Sequence, residues 1–342
     1  MAAATAHQEQ AANVNASAPL LYLSLADTLQ LLDPAVVVDI AEQTLLDHRA
    51  GHVVWSAPRM LTAEGPGLRA KFRTKLCAVT RLPAVGFRCT SAIPGDEHMD
   101  GGPTRLVLLS DPENGEFRAI VDERWCFALR TGAGAAVAIR LLHGADTTEI
   151  GLIGAGHMAR GTLYALKAAL PGLSRVVITS RRPESREAVA RELAPELGIE
   201  IVPVESAEAV LAQTDAVVVS TSTKSPIIAE AALRPGCTIY SMGANQELDT
   251  PSYRAVDKFI ADDWGQVQLK PDLVALMAAG SFSEADVYGD LPEILGGDKP
   301  GREHAEERIL IRSEGLVTMD VALAHHLYHL ALARGLGQAI AT

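Results

Sequence analysis

Two short stretches of this chain combine residue types and spacing suited to holding a phosphorylated ligand. The first is Glu149-Ile150-Gly151-Leu152-Ile153-Gly154-Ala155-Gly156-His157-Met158-Ala159. Apolar residues lead into Gly154 and a helical pattern follows through residues 161–170, which reads as strand, glycine turn, helix. Gly154 permits the tight turn, Gly156 lets a pyrophosphate approach the backbone, and the small Ala159 allows close helix–strand packing. The helix N-terminus then offers free N–H groups and positive partial charge to the phosphates. His157 and Met158 sit at the start of that helix; His157 either borders the cofactor or is an incidental polar residue. The second stretch lies one strand later, at Ser180-Arg181-Arg182-Pro183-Glu184-Ser185. NAD sites place a carboxylate near this point for the ribose 2′-hydroxyl. Here Ser180, Arg181, Arg182 and Ser185 replace it, and arginine suits phosphate oxygens through its planar fork. The pattern predicts NADP, against the alternative of a solvated basic turn.

These residues need elements to position them. Residues 174–180 read as a second buried strand, followed by a helix over 186–197. Further strands are expected at 216–220, 237–242 and 258–261, alternating with helices or loops as a doubly wound parallel sheet requires. Thr221 and Ser222 follow one of these strands at the nucleotide edge, and Met242 and Gly243 close the next; all four are candidate cofactor contacts. Before the glycine turn come a helix over 34–48 and strands at 53–55, 70–79, 84–90, 105–109 and 117–121. Turn signals separate them at 65–67, 94–96, 101–103 and 111–115. A long helix over 123–142 leads into the first nucleotide strand, and a last helix over 321–334 returns to the N-terminal part.

The expected fold is therefore α/β: a Rossmann-type domain over 145–315, plus an α+β substrate and dimerisation domain over 20–144 completed by 316–342. Residues 1–19, rich in Ala, Gln and Asn, read as a flexible tail. With 342 residues and 48% hydrophobic content, two cores are affordable. The formal charge of −12 disfavours nucleic acid as a partner. Cys77, Cys89, Cys126 and Cys237 form neither a CxxC pair nor a zinc spacing, which fits a reduced, cytoplasmic protein. No 18-residue apolar run suits a membrane span. His98, His304, His325, His326 and His329 lack acidic companions in a metal-binding pattern, so no metal is expected.

Taken in order, several pieces resemble the ornithine cyclodeaminase/mu-crystallin family, which includes ketimine reductases and archaeal-type alanine dehydrogenases. They are Ala128-Leu129-Arg130-Thr131-Gly132-Ala133, the glycine turn, Gly243-Ala244-Asn245-Gln246-Glu247-Leu248-Asp249 and Ala261-Asp262-Asp263-Trp264. Tyr288-Gly289-Asp290-Leu291-Pro292-Glu293-Ile294-Leu295-Gly296-Gly297 and Ser313-Glu314-Gly315 complete the set. The resemblance implies a substrate site between the domains and a homodimer formed through the N-terminal sheet. It also implies that Arg130 binds the substrate's α-carboxylate, with Arg59 in Pro58-Arg59-Met60 as a second arginine on the same group. A guanidinium holds a carboxylate by two parallel charge-assisted bonds, so both roles are chemically apt. The alternative for Arg130 is a buried ion pair that anchors its helix.

Two departures from the family pattern bear on mechanism. Where members carry a lysine ahead of the Leu-Arg-Thr arginine, counting back reaches Arg88; a shift of one hairpin restores Lys75 to that role. Where cyclodeaminases place an aspartate, this chain has Asn245, and an amide is no base near neutral pH. Ornithine cyclodeamination moves protons at the substrate nitrogen twice, whereas reduction of a preformed iminium asks less of the site. The sequence leans toward NADPH-dependent reduction of a carboxylated imine, or the reverse. A cyclodeaminase, an alanine-type amino-acid dehydrogenase, and a mu-crystallin-like NADPH-binding protein with little turnover are the alternatives.

Overall fold

The computed structural model describes residues 19–93, 105–243 and 245–341, and they form two eight-stranded sheets. The first contains β1 (Leu20–Leu23), β2 (Val53–Trp55), β3 (Leu61–Ala63), β4 (Lys71–Val79), β5 (Ala84–Ala92), β6 (Arg105–Ser110) and β7 (Phe117–Asp122). The second contains β8 (Glu149–Ile153), β9 (Arg175–Thr179), β10 (Glu200–Pro203) and β11 (Ala216–Val219). It continues with β12 (Thr238–Ser241), β13 (Lys258–Ala261), β14 (Gly289–Asp290) and β15 (Ile309–Arg312). A last strand, β16 (Gln338–Ile340), returns to the first sheet beside β1. The five helices of thirteen residues or more among the described residues are α1 (Pro34–Arg49), α2 (Arg124–Leu142), α3 (His157–Ala169), α4 (Pro183–Leu197) and α5 (Val317–Arg334).

The second sheet is parallel throughout, in the order β10-β9-β8-β11-β12-β15-β13-β14. Its inner strands are buried on both faces and read as unbroken apolar runs, such as Ala216–Val219. The sequence reading has five strands in this sheet and misses β10, β14 and β15. The last of these lies between β12 and β13, so it is central; its four residues end in Arg312, after a charged segment that hides it. The first sheet runs β16-β1-β7-β6-β5-β4-β2, with β3 also on β4, and is antiparallel apart from the β1–β7 pair. The turns expected at 94–96 and 101–103, and residues 1–18 of the expected tail, lie outside the described residues.

Helix ends follow local chemistry. Asp33 caps α1 by accepting from the Ala35 N–H at 2.9 Å, and Pro34 occupies the first turn where its missing N–H costs nothing. Pro183 opens α4 in the same way, three residues ahead of the expected start, and Gly198 ends it in the left-handed conformation. Helix α2 is long and apolar enough to cross a membrane by composition, yet 78% of its apolar 18-residue window is buried inside the fold as a core helix. Its small residues let α3 approach closely: a Cβ on Gly161 would stand 2.5 Å from the Ala128 carbonyl carbon. That contact locks the helix carrying Arg130 to the helix that begins at the glycine turn. Helix α5 starts at Val317, four residues before the expected position, and lies on the first sheet with Val321 against Gly86.

Candidate active site

The pleat of the first sheet decides which side chains can meet. In β4, Lys71, Arg73, Lys75 and Cys77 share one face, and the register pairs Lys75 with Arg88 on β5. Arg130 lies in the second turn of α2, and Asp320 lies in the first turn of α5. These elements enclose a cleft of about 220 Å³ whose walls include Lys75, Arg88, Arg105, Phe127, Arg130, Glu314 and Asp320. Two of the candidate catalytic residues and one candidate substrate arginine are therefore brought together.

Lys75, Arg88 and Arg130 are each held by a carboxylate. Arg130 is 4% exposed and its Nε donates to Asp320 Oδ1 at 2.6 Å. Its terminal nitrogens make no hydrogen bond among the described residues, which leaves the fork facing the cleft. The ion-pair alternative and the substrate-binding reading thus describe two edges of one guanidinium. Arg88 donates from Nε to Glu123 Oε2 at 2.8 Å and stands 3.5 Å from Asp320. Burial works against its charge, but Glu123 and Asp320 outweigh that and raise its pKa. Arg88 is accordingly a permanent cation with no proton to give. Lys75 differs: burial lowers its pKa, Glu314 at 3.6 Å opposes the shift, and Arg88 and Arg130 reinforce it. Glu314 is held in turn by Lys270 at 2.9 Å. Burial disfavours its charge, but Lys270 and then Lys75 prevail and bring its pKa below the ordinary value.

The loop after β15 shapes the cleft floor. Asp262 accepts from Ser313 Oγ and from the Glu314 and Gly315 N–H groups, at 2.7–3.2 Å. Gly315 has φ +77, and a Cβ there would stand 2.7 Å from Arg130 Nη1, so only glycine leaves the guanidinium room. Asp320, Glu123, Glu314 and Phe127 were not among the residues singled out from sequence. Asp320 is the sole carboxylate of helix α5, which also carries His325, His326, His329 and Arg334.

Other candidates are placed elsewhere. Arg59 pairs with Asp263 at 2.7 Å and lies over Trp55; its neighbour Met60, not Arg59, lines the cleft. Asn245 donates from Nδ2 to the Thr223 carbonyl at 2.9 Å, and its own carbonyl accepts from Arg312 at 2.9 Å. It is a loop tie and is not among the cleft-lining residues.

The glycine turn joins β8 to α3. Gly154 has φ +120, and a Cβ there would lie 2.5 Å from the Ser220 carbonyl oxygen. A Cβ on Gly156 would meet nothing within 4 Å, so space remains above the helix N-terminus, and Ala159 is fully buried beneath. These features fit a dinucleotide pyrophosphate. His157 meets the Arg124 carbonyl at 2.8 Å and packs edge-on against Trp125, which directs it toward α2. Met158 is half-buried in the first turn of α3. Ser180 Oγ donates to the Arg182 carbonyl, Ser185 lies in the first turn of α4, and Arg181 and Arg182 are exposed without an ion pair among the described residues. Thr221 donates both its N–H and its hydroxyl to buried Glu247, which also accepts from Ser241 Oγ and the Gly243 N–H. Met242 is half-buried and Ser222 exposed at the same C-terminal edge of the sheet, the usual ligand side of an open parallel sheet.

Such a sheet, with its glycine turn tied through α2 to a cation-walled cleft, defines a nicotinamide-nucleotide oxidoreductase. The chain belongs to the ornithine cyclodeaminase/mu-crystallin family, whose model matches residues 37–335. It is 27% identical over 269 residues to a Δ1-pyrroline-2-carboxylate reductase of Bacillus cereus, covering 76% of this chain and 81% of that one. It is 32% identical over 238 residues to the iminosuccinate reductase of Paracoccus denitrificans, covering 68% and 72%. The structure of Thermococcus litoralis Δ1-pyrroline-2-carboxylate reductase with NADH and L-proline superposes with a TM-score of 0.86 at 27% identity, covering 94% of this chain and 100% of that one. The chemistry of the class is redox change at C=N and CH–NH groups.

Proposed function

We propose that this protein reduces an α-imino acid to the amino acid with NADPH. The observation that carries the reading is the cleft in which Lys75 and Arg88 from the first sheet converge with Arg130 of α2, the helix packed against the one that begins at the glycine turn. The free fork of Arg130 binds the substrate carboxylate by two parallel bonds and sets the plane of the C=N group, while Asp320 fixes the fork's angle. When bound, the nicotinamide supplies the hydride that arrives at the α-carbon. Lys75, with its lowered pKa, gives a proton to the substrate nitrogen; Glu314 holds the ammonium in place before transfer. Arg88 stabilises the arrangement as a fixed charge. Run backward, the same groups oxidise an amino acid.

Cofactor preference rests on Arg181 and Arg182, which are exposed beside Ser180 and make no ion pair among the described residues. Gly154, Gly156, His157, Met158, Ala159, Ser185, Thr221, Ser222, Met242 and Gly243 complete the proposed nucleotide contacts, of which Thr221 acts through its backbone setting more than its hydroxyl. Residues 145–315 form the nucleotide domain and residues 20–144 with 316–342 the substrate domain. The outer face of the first sheet exposes Val54, Leu61, Phe72 and Phe117, at 48–62% each, a contiguous apolar surface suited to a second copy of the chain. Following NADPH absorbance with Δ1-pyrroline-2-carboxylate and with linear imines formed from 2-oxo acids and ammonium tests the reading. Turnover that Lys75→Gln reduces by about 10²-fold or more supports it; cofactor binding without oxidation across the panel refutes it.

A further inference from the structure

We infer that Lys270, which follows β13 of the second sheet, is a positioning residue for the reaction: by sharing the Glu314 carboxylate with Lys75, it sets how readily Lys75 gives up its proton. The inference rests on Lys75 being the proton donor of the proposed imine reduction.

Lys270 stands in the connection between the short helices Trp264–Val267 and Pro271–Ala278. It is 4% exposed, and a lysine is almost never so buried unless it is paired. Its Nζ donates to Glu314 Oε2 at 2.9 Å and to the Ser313 carbonyl at 3.0 Å. Asp262 holds the same loop from the other side, through Ser313 Oγ and the N–H groups of Glu314 and Gly315. Glu314 turns its second oxygen, Oε1, to Lys75 Nζ at 3.6 Å. One carboxylate thus serves two ammonium groups, one from each sheet's side of the cleft, and leans toward Lys270.

Facing Lys75 are Arg88 from β5, Arg105 from β6, Arg130 from α2, Asp320 from α5 and Glu314 from the loop after β15, with Lys71 and Arg73 along its own strand. Burial lowers the Lys75 pKa, and of the charges that act on it Glu314 is the strongest, ahead of Arg88, Arg130 and Asp320. An ammonium releases its proton more easily when a second cation stands near and when the anion beside it is already engaged. Lys270 meets both conditions. Without it the Glu314 carboxylate serves Lys75 alone, and Lys75 keeps its proton to higher pH.

Lys270→Met keeps the stem and removes the charge. The alkaline limb of kcat/KM for Δ1-pyrroline-2-carboxylate with NADPH, where Lys75 loses its proton, should move up by about one pH unit or more. Lys270→Arg should return it toward the parent position. Lys270→Gln, which retains a donor for the Ser313 carbonyl, is the second uncharged variant should Lys270→Met fail to fold. Charges elsewhere in the cleft act on parent and variant alike, so the displacement reports Lys270. A loosened loop would also raise the Lys75 pKa, by admitting water, and a double-mutant cycle separates the two causes. In a Glu314→Gln background, Lys270→Met should move the limb less than half as far, because the shared anion is gone. An unmoved limb, no recovery with Lys270→Arg, or an equal displacement with and without Glu314 would overturn the proposal. Trace acetylation of the cofactor-free protein by acetic anhydride across pH, read by mass spectrometry of the Lys75 peptide, titrates the same amine without turnover. If no imine is reduced, the reductase reading falls. A Lys75 titration displaced upward by Lys270→Met, and less than half as far in Glu314→Gln, still upholds the coupling through Glu314; a titration that Lys270→Met leaves unchanged overturns it.

Discussion

Arg130 is asked to do two things at once, and the two can be separated by substitution. Its Nε holds Asp320, whose side chain is 1% exposed, and its terminal nitrogens face the cleft. Arg130→Ala leaves a buried carboxylate beside Arg88 alone, and breaking a buried pair in this way costs about 3–5 kcal/mol. The variant should melt well below the parent, and low activity in it would say little. Arg130→Lys keeps a cation opposite Asp320 but offers no second edge, because an ammonium is a point charge without a fork. Its stability loss should stay under about 2 kcal/mol, while kcat/KM for the carboxylated imine falls by about 30-fold or more, equivalent to about 2 kcal/mol of transition-state binding. NADPH affinity should change less than threefold. The assay is steady-state NADPH oxidation alongside thermal unfolding and fluorescence titration of the cofactor. Arg130→Lys with unimpaired kcat/KM would mean that the guanidinium serves only its helix, and the clamp would have to be sought elsewhere.

Three further outcomes are expected. The pair Arg181→Ala and Arg182→Ala should narrow the preference for NADPH over NADH at least tenfold, since each charged hydrogen bond to the 2′-phosphate contributes about 1.5–3 kcal/mol; indistinguishable titration curves for the two cofactors in the parent would contradict this. Conversion of ornithine to proline should be negligible, and Asn245→Asp should not create it, because Asn245 is tied to Thr223 and Arg312 rather than to the cleft; robust proline formation would reveal an overlooked base. Burial lowers the pKa of His48 to about 4, while an unfolded histidine titrates near 6.5. The unfolded chain therefore takes up this proton first, and stability is lost as pH falls from about 6.5 to 4, by up to about 3 kcal/mol. His48→Gln should flatten the melting temperature over that window, and an unchanged slope would assign the acid sensitivity to other groups.

The glycine turn and the arginine motif were legible because their meaning is local. Gly154 is constrained by its own backbone and by one neighbouring carbonyl, so spacing alone announces it. Strand-like runs separated by turn signals likewise marked the strands that carry Lys75 and Arg88. Their partnership was not legible, because it depends on register: counting along the chain put Arg88 in place of Lys75, whereas the sheet sets them side by side. Asp320 and Glu123 escaped notice for the same reason, since each meets its arginine only when α5 and α2 close over the sheet. Arg59 shows the converse. Its motif is local, but Asp263, 204 residues away, determines where its charge goes. Strand β15 was hidden by brevity, four residues ending in an arginine that is fully buried only because Asp272 and the carbonyls after β12 receive it.

The central claim is that hydride reaches the α-carbon of a carboxylate-bearing imine in the Arg130 cleft. Deuterium transfer tests it most directly: NADPH labelled at the transferable position of C4 is incubated with the protein and a carboxylated imine, and the amino-acid product is examined by NMR. The account predicts one deuterium at the α-carbon, with a single configuration, and a label yield that collapses in Arg130→Lys. Product without deuterium, or labelled NADPH that stays bound and unoxidised with every imine supplied, would contradict it.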